Sequence, residues 1–488
     1  MHLSFILLLV FYIGCLWALI SLLLENREPA ETFAWIFIII IFPIFGFFIY
    51  MMFGRNWKNS YDHKRRLPQF EAKNLVNLFK PLTDLQDQAI QQLKKNSSVY
   101  QDDLMTLLYR NSRALLTTNN KVKIFHDGKS KFESLFEDIK NAKQFIHLQY
   151  FIWRSEDTLG RKIKKLLIEK AKEGVEIRIL YDFSGCLFLL KNKYIKELRK
   201  EKIEIYPFFN YLSNFKAHTL NYRNHRKIVV IDGNIGYTGG MNVGQEYIDG
   251  GKKYKSWRDT HLRLEGEAVG ILQAVFAIDW YNTVEKEAIF DAKYFTAIPE
   301  KGDLKGDLPI QLPTSGFDST WYSILQLYFT LITAAQKNIY IVSPYFIPDD
   351  SLLMALKTAS MRGVKVTVLM MGVPDNLIPY WAAFSYFDEL LRAGVKIYQY
   401  KAGFMHAKIV SIDGKISTIG TANFDIRSLK LNYEINTVFY QEKLTQGIDA
   451  QIKRDLEQSK EILLSDIKDA SVFVRLRSSI LRLMAGIL

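Results

Sequence analysis

The sequence predicts an α/β protein built from two similar halves and preceded by an N-terminal two-helix transmembrane hairpin. Three observations support this class: one polar signature occurs twice, short apolar strands alternate with helical stretches after residue 118, and two long apolar runs lie in the first 60 residues. At 488 residues the chain is too long for one hydrophobic core, so it fits two domains of ordinary size plus an extension.

The two apolar runs cover residues 3–24 and 32–53, and each has 22 residues without a charge. As a helix at about 1.5 Å per residue, each run is about 33 Å long, which is enough to cross a bilayer core. A cleaved signal peptide would need a basic start and a shorter apolar stretch, and Met1-His2 provides neither. We therefore predict a transmembrane hairpin over residues 1–58, with a kink at Pro43 and Gly46.

The charges beside the apolar runs predict the orientation of the hairpin. The loop 25–31 contains one basic residue, whereas the segment after the second run contains five: Arg55, Lys58, Lys64, Arg65 and Arg66. Because basic residues favour the inner side of a membrane, the rest of the chain is predicted to lie in the cytoplasm.

The overall charge predicts an anionic partner. The chain has 64 Lys+Arg and 51 Asp+Glu, a net charge of +13 that suits either an acidic membrane surface or nucleic acid. The two cysteines, Cys15 and Cys186, imply no disulfide framework, and a reducing compartment fits them.

After the hairpin, residues 59–118 are polar, lysine-rich and helical in pattern, which predicts a juxtamembrane connector. Two α/β domains follow over residues 119–305 and 306–488. The predicted strands alternate with helical stretches, so largely parallel sheets covered by helices are expected. These strands cover 144–152, 174–180 and 203–206 in the first half, and 338–347, 363–370 and 394–398 in the second.

The repeated signature is a histidine, a lysine two residues later and an Asp-Gly pair, which is a strong signal for a hairpin turn. Strand alternation predicts that each histidine and its lysine lie on one face of the sheet. An asparagine follows each histidine by seventeen residues. Histidine, lysine and asparagine side chains suit the binding and displacement of a phosphate. The two copies are His225, Lys227, Asp232 and Asn242, and His406, Lys408, Asp413 and Asn423.

The doubled H-x-K-x4-D motif, with its downstream glycine and asparagine, resembles the phospholipase D superfamily. Residues 26–35, which lead into an apolar span ending at 53–55, and the block 420–428 resemble bacterial cardiolipin synthases. This resemblance implies two tandem phospholipase D-like α/β/α domains in a pseudo-twofold arrangement, with His225 and His406 at one phosphate. It also implies a multi-pass protein of the bacterial cell membrane that joins two phosphatidylglycerol molecules into cardiolipin and glycerol, with no metal and no other cofactor.

The sequence alone leaves open which histidine attacks the phosphate. The resemblance favours His225 as nucleophile and His406 as acid and base. A neutral imidazole needs a partner for its far nitrogen. On spacing, Glu434 is predicted to orient His406, and Asp259 is predicted to orient His225. Gly240 and Thr421 complete the predicted supporting set.

Several features have a structural explanation beside the functional one. Asp232 and Asp413 suit hairpin turns more than direct chemistry, and Gly240 suits a close approach of backbones. The aromatic pairs 150–151 and 345–346 are predicted to pack in the core rather than line a lipid entrance, and the lysines in 250–255 are predicted to lie in a solvated loop. A C-terminal amphipathic helix is predicted to contact the membrane or dock on its own domain; its apolar face contains Phe473, Leu476, Ile480, Leu483, Met484 and Ile487.

The predicted partners are anionic phospholipids (phosphatidylglycerol and cardiolipin) and the membrane, and no nucleic acid is expected. A phospholipase D-type hydrolase, or a phosphatidyltransferase that uses another acceptor such as phosphatidylethanolamine, would have the same catalytic residues. A membrane-tethered nuclease is disfavoured by the two apolar spans. A non-catalytic scaffold is disfavoured because both histidines and both lysines are present.

Overall fold

The computed structural model divides the chain into two units, residues 1–66 with 209–222, and residues 67–208 with 223–488. It describes residues 2–25, 27, 29–55, 69–94, 99–209, 221–284, 288–299, 306, 308–468 and 471–483. The two signature-bearing halves both belong to the second unit.

The first unit contains the apolar helices. Helix His2–Leu24 includes a stretch, Phe5–Leu24, with a mean hydropathy of 2.7, which is long and apolar enough to cross a membrane. The second apolar run is divided into helices Pro29–Ile41 and Pro43–Ile49 and a π-helical turn, Tyr50–Gly54. A proline lacks the N–H that would continue the ladder, which explains the break before Pro43. The predicted kink is therefore present, but the second run is not one continuous helix.

The apolar helices of the first unit pack against one another. Ala18 and Leu22 of the first helix form one buried cluster with Trp35 and Ile39 of the second. A β-carbon at Gly46 would lie 2.4 Å from the carbonyl oxygen of Ile38, so the backbone at the bend leaves no room for a side chain.

The second unit begins with three helices that occupy most of the predicted connector. They are Gln69–Thr83, Gln86–Lys94 and Val99–Ser112. Leu104, Met105 and Leu108 are fully buried in the main hydrophobic core of the unit. This segment is therefore packed into the core of the second unit.

The first half contains a mixed seven-stranded sheet. Only two of its neighbouring strand pairs are parallel. The prediction of a largely parallel sheet is therefore wrong for the strands next to the signature. The reason is that a hairpin connects its two strands in antiparallel order. In spatial order the strands are Asn120–Phe125, His261–Gly266, Ile235–Gly239, Ile228–Ile231, Phe145–Tyr150, Glu176–Asp182 and Glu204–Phe208. The helices are Gly128–Asn141, Thr158–Lys172, Phe183–Cys186, Asn192–Lys200, Glu246–Asp249 and Glu267–Thr283, with a 3₁₀ turn at Ala292–Tyr294.

The second half repeats this strand order and adds one strand at its far edge. In spatial order the main path contains Thr314–Ser315, Glu434–Phe439, Ile416–Gly420, Ile409–Ile412, Asn338–Val342, Lys365–Met371, Lys396–Tyr400 and Ser459–Ile462, while Ile310–Gln311 pairs with Glu434–Phe439. The helices are Ser323–Ala334, Asp350–Met361, Leu377–Phe384, Phe387–Arg392, Ile426–Lys430, Glu442–Glu457, Leu464–Lys468 and Val472–Leu483. Two further short pairings join Phe346–Ile347 to Phe424–Asp425 and Trp257–Arg258 to Phe404–Met405.

The C-terminal helix, Val472–Leu483, docks on helix Leu377–Phe384 and still exposes an apolar face. The Arg477 guanidinium lies 3.5 Å from the ring centroid of Trp381. On the side facing away, Phe473 is 84% exposed and Leu483 is 85% exposed. Docking and an exposed apolar face are therefore both present, while residues 484 and 487 of the predicted face lie outside the described residues.

The aspartates of the two signatures lie in the hairpin turns. Asp232 and Asp413 have φ values of 51° and 55°, in the left-handed region that Asp tolerates, and a glycine follows each. The Asp232 carboxylate accepts hydrogen bonds from the amides of Lys143, Gln144 and Phe145 at 2.8–3.0 Å. The Asp413 carboxylate accepts the equivalent three hydrogen bonds from the backbone amides of residues 336–338 at 2.7–2.9 Å. Both carboxylates therefore tie a hairpin to the start of a central strand.

Replacing Asp413 by alanine is expected to lower the free energy of unfolding by about 2 kcal/mol, because three backbone amides lose their acceptor and alanine is strained at this φ. Asp413→Asn should cost less, since asparagine keeps one acceptor oxygen and tolerates the turn. Thermal unfolding in detergent measures both. The charge-matched control Glu457→Ala, at an exposed helix end, should leave the midpoint nearly unchanged; an equal loss in all three variants would contradict the turn role.

Candidate active site

The two signatures meet at one cavity in the second unit. The cavity has a volume of about 860 Å³ and is lined by His225 and Asn242 from the first half and by His406 and Asn423 from the second. This volume is in the range of small-molecule sites. The duplicated motif therefore forms one composite site.

Short backbone pairings between the halves bring the two histidines to this cavity. The amide of His225 donates to the carbonyl of Tyr433 at 2.9 Å, and the amide of His406 donates to the carbonyl of Arg258 at 2.7 Å. Both histidines and their lysines lie on extended segments just before the strands that begin at Ile228 and Ile409, not within them as predicted. Leaving the sheet lets each segment pair with the opposite half.

Each histidine is paired with a buried carboxylate from the other half. His225 Nδ1 lies 2.9 and 3.0 Å from the two oxygens of Glu434, and His406 Nδ1 lies 2.6 Å from Asp259 Oδ2. The spacing-based prediction, with Glu434 on His406 and Asp259 on His225, is therefore wrong. The reason is the pairing between the halves: the carbonyl that receives each histidine amide belongs to the residue just before the opposite carboxylate.

A glycine follows each motif histidine by fourteen residues, Gly239 and Gly420, and the next residue in each half affects the carboxylate in a different way. Thr421 donates its hydroxyl to Glu434 Oε2 at 2.5 Å. At the equivalent position, a β-carbon on Gly240 would lie 2.0 Å from Asp259 Oδ1, so only glycine leaves room for that carboxylate. Thr421 therefore binds its carboxylate, whereas Gly240 makes space for one.

The motif lysines are buried beside the histidines. Lys227 Nζ donates to the carbonyl of His225 at 2.7 Å, and Lys408 donates to the carbonyl of His406. Burial lowers the pKa of Lys227 to about 7 and that of Lys408 to about 8, against the opposing effect of Glu434 and Asp259. An anion placed beside these amines would favour their protonated form.

Burial also lowers the pKa of both histidines. The pKa of His225 falls to about 4, and that of His406 is lowered as well, although the neighbouring carboxylates act in the opposite direction. Each carboxylate holds the proton on Nδ1 of its neutral partner, so Nε2 is the nitrogen available to a substrate. The role of His406 as an acid, which the resemblance implies, thus requires an added negative charge in the cavity.

Aromatic rings surround the two histidines unequally. The His406 ring lies 5.4 Å from Trp257, 5.9 Å from Tyr247 and 5.7 Å from Phe404. The His225 ring has one described aromatic neighbour, Phe151, at 4.8 Å. The aromatic surroundings of the two histidines therefore differ, with three described ring neighbours at His406 and one at His225.

The core prediction for the strand-end aromatic pairs is right for one member of each pair. Tyr150 and Phe346 are almost completely buried in the hydrophobic cores. Phe151 and Tyr345 instead line the cavity. Successive side chains of an extended segment point in opposite directions, which explains why each pair is divided.

The two asparagines differ in how their side chains are used. Asn242 Oδ1 accepts the amide of Ile152 at 3.1 Å, and its Nδ2 donates to the Tyr247 hydroxyl at 2.8 Å. Asn423 bonds to the carboxylate of Asp425, and its Oδ1 has no hydrogen-bond partner among the described residues. Both polar atoms of the Asn242 side chain therefore form hydrogen bonds within the protein, whereas the Asn423 side chain has an unused acceptor oxygen among the described residues.

One wall of the cavity was missed by sequence reasoning. It comes from residues 245–254 of the first half, including Lys252 and Lys253; both lysines are exposed, as predicted for a solvated loop, but they also line the cavity. The signal was available, because seventeen residues separate Asn242 from Asp259 but eleven separate Asn423 from Glu434. Within the described ranges, no three His, Cys, Asp or Glu side chains cluster in a way that could hold a metal ion.

Comparison with known proteins agrees with this geometry. Residues 135–254 and 328–456 match the family described as cardiolipin synthase, PLD-like domain, and residues 13–55 match the phospholipase D-nuclease N-terminal family. A phosphatidylserine synthase structure from Haemophilus influenzae Rd KW20 shares the fold, with a TM-score of 0.62 and 14% identity, and covers 79% of this chain and 100% of that one.

Full-length relatives carry the same description. A cardiolipin synthase of Geobacillus sp. (strain WCH70) is 41% identical and covers 95% of this chain and 90% of that protein. One from Oceanobacillus iheyensis is 39% identical over 99% of both chains, and the major cardiolipin synthase of Bacillus subtilis (strain 168) is 38% identical over 100% of both. Together with the apolar N-terminal helix, these relatives indicate membrane association. The chain belongs to the cardiolipin synthase family of enzymes with two phospholipase D-like domains.

Proposed function

We propose that the chain is a phosphatidyltransferase that converts two phosphatidylglycerol molecules into cardiolipin and glycerol through a phosphatidyl-histidine intermediate. The observation that carries this proposal is the pair of histidines, His225 and His406. They come from different halves, line one cavity and each have a buried carboxylate on Nδ1. Two Nε2 atoms are thus available to one phosphodiester.

In the first step His225 is the nucleophile. Its low pKa keeps Nε2 unprotonated at neutral pH. Nε2 attacks phosphorus, a P–N bond forms, and the P–O bond to the glycerol headgroup breaks. His406 donates its Nε2 proton to the departing alkoxide, so free glycerol leaves. The phosphorylated imidazole is cationic, and the carboxylate of Glu434 stabilises it.

For this step His406 must be protonated. A phosphodiester in the cavity adds a negative charge, which raises the pKa of a nearby imidazole. Asp259 at 2.6 Å favours the same cationic form. These surroundings support His406 as the acid and His225 as the nucleophile.

In the second step the proton moves in the opposite direction. Neutral His406 removes the proton from a hydroxyl of a second phosphatidylglycerol, and that oxygen attacks the phosphorus on His225. The P–N bond breaks, cardiolipin forms, and both histidines return to their starting protonation states. One diester replaces another, so no nucleotide energy source is needed.

The buried lysines and Asn423 stabilise the charge that develops on the non-bridging oxygens. Lys227 and Lys408 are almost completely shielded from solvent, so their interaction with a phosphate is weakly screened. Asp232 and Asp413 act through the hairpins that position these segments.

The proposal includes an arrangement at the membrane. The apolar segments 2–24 and 29–54 cross it as a hairpin, and the catalytic unit lies on the cytoplasmic side, where basic residues are favoured. The exposed apolar face of helix Val472–Leu483, which carries Phe473 and Leu476 beside Arg475, contacts the lipid surface.

Purified protein incubated with phosphatidylglycerol vesicles is expected to release one glycerol for each cardiolipin formed, as measured by mass spectrometry of the lipids and an enzymatic glycerol assay. Phosphatidic acid as the main product would instead identify a hydrolase. Addition of phosphatidylethanolamine tests the other acceptor. If the mixed product of the two lipids dominates, phosphatidylethanolamine is the preferred acceptor. Preferential cleavage of DNA would reject the lipid reaction.

The histidine roles are separable with a donor whose leaving group is p-nitrophenolate, which needs no proton. His225→Ala should abolish nitrophenolate release, whereas His406→Ala should keep a single-turnover burst and lose steady-state transfer by about 10²–10⁴-fold. Asp259 pairs with His406, so Asp259→Asn should behave like a weaker His406→Ala. Glu434 pairs with His225, so Glu434→Gln should behave like a weaker His225→Ala. A burst in His225→Ala alone would reverse the roles.

For the topology, green fluorescent protein fused after residue 488 should fluoresce, and alkaline phosphatase inserted in the loop 25–31 should be active, because the former folds in the cytoplasm and the latter outside it. The control exchanges the two reporters, and both should then be silent. Activity in the exchanged fusions would refute the orientation.

A further inference from the structure

We propose that the insertion in the first half forms a second anion subsite, in which Lys252 and Lys253 bind the phosphodiester of the acceptor lipid. This inference rests on the proposed transfer reaction and goes beyond it. His225 and His406 act at the phosphorus that is transferred. The acceptor phosphatidylglycerol contains a second phosphate, which these histidines do not bind. That second anion needs a place near the reacting hydroxyl.

The insertion is the main difference between the two halves at the cavity. It lengthens the interval between the asparagine and the carboxylate from eleven residues in the second half to seventeen in the first. Residues 250–254 line the same cavity as His225 and His406. The positive φ values of Gly250 and Gly251, 82° and 63°, turn the chain into this wall.

The two lysines bring positive charge that no described carboxylate neutralises by a direct ion pair. Lys253 Nζ donates to the carbonyls of Pro374 at 2.7 Å and Asp375 at 3.4 Å, which belong to the second half. Carbonyl groups are neutral, so the ammonium keeps its charge while its position is held across the halves. Lys252 also lines the cavity, and both lysines are exposed to solvent.

The carboxylates that line the cavity already accept hydrogen bonds. Glu246 pairs with Arg154 at 2.5 Å, and Asp375 accepts the Tyr345 hydroxyl at 2.5 Å. Asp157 and Asp249 accept backbone or side-chain N–H groups within the first half. They do not neutralise the lysines directly, and their remaining acceptor capacity suits the hydroxyls of a glycerol headgroup.

The size of the cavity agrees with two headgroups. At about 860 Å³ it lies near the upper end of small-molecule sites, so it exceeds what one phosphodiester occupies. In the acceptor a single glycerol separates the attacking hydroxyl from the second phosphate, which therefore stays in the same cavity as His225. Lysine ammonium groups bind such a phosphate through charge-assisted hydrogen bonds.

This subsite gives the enzyme a means to prefer a lipid acceptor over water or a simple alcohol. Water and free glycerol carry no phosphate, so they gain nothing from Lys252 and Lys253. A phosphatidylglycerol acceptor gains binding energy that orients its hydroxyl toward the phosphorus on His225.

The test compares the double variant Lys252→Gln/Lys253→Gln with the matched control Lys255→Gln, which removes a charge from the same insertion at a residue that does not line the cavity. Full-length protein in phosphatidylglycerol vesicles is assayed for cardiolipin, for phosphatidic acid and for exchange of labelled glycerol into phosphatidylglycerol. Glycerol exchange uses both histidines but no second phosphate.

We expect the ratio of cardiolipin formation to glycerol exchange to fall at least about five-fold in the double variant, with a higher share of phosphatidic acid. Lys255→Gln should keep the wild-type ratio. An unchanged ratio in the double variant would overturn the subsite, and so would an equal fall in Lys255→Gln, which would indicate general attraction to the membrane. A wild-type protein that forms no cardiolipin and exchanges no glycerol would instead refute the proposed function itself.

Discussion

Two carboxylate–imidazole pairs between the halves, Glu434 with His225 and Asp259 with His406, hold the site together. They join residues that are 209 and 147 positions apart in the chain. Each pair determines which ring nitrogen keeps the proton and therefore which one meets a substrate. Neither His225 nor His406 has a described carboxylate partner in its own half, so this arrangement of the site exists only when the halves are assembled.

The burial that makes these pairs effective also determines the charge state of the site. Lys227 and Lys408 lie almost completely away from water, and desolvation lowers the pKa of both amines and of both histidines. A site of this kind gains protons as an anionic phosphodiester enters, because the added charge offsets the cost of burying cations. The same low-polarity surroundings then strengthen the contacts to the phosphate.

The fold is nearly symmetric, but the two steps of the proposed reaction differ. The repeated strand order places the signatures equivalently, yet Thr421 holds one carboxylate while Gly240 makes room for the other. The His406 ring has three described aromatic neighbours whereas the His225 ring has one, Phe151, and the basic insertion belongs to the first half. In the proposed mechanism, these local differences separate the acid from the nucleophile and the donor lipid from the acceptor lipid.

Much of this protein could be predicted from local patterns. The two signatures, their hairpin turns, the apolar runs and the α/β class all depend on residue types at short spacing, which a single chain displays directly. The kink at Pro43 was predicted for the same reason, although the division of that run into separate helices was not. The histidine partner of each carboxylate, His225 for Glu434 and His406 for Asp259, could not be predicted, because spacing within one half does not reveal which half receives a side chain. That choice depends on backbone contacts between distant segments, as do the antiparallel order around each hairpin and the cavity wall formed by Lys252 and Lys253.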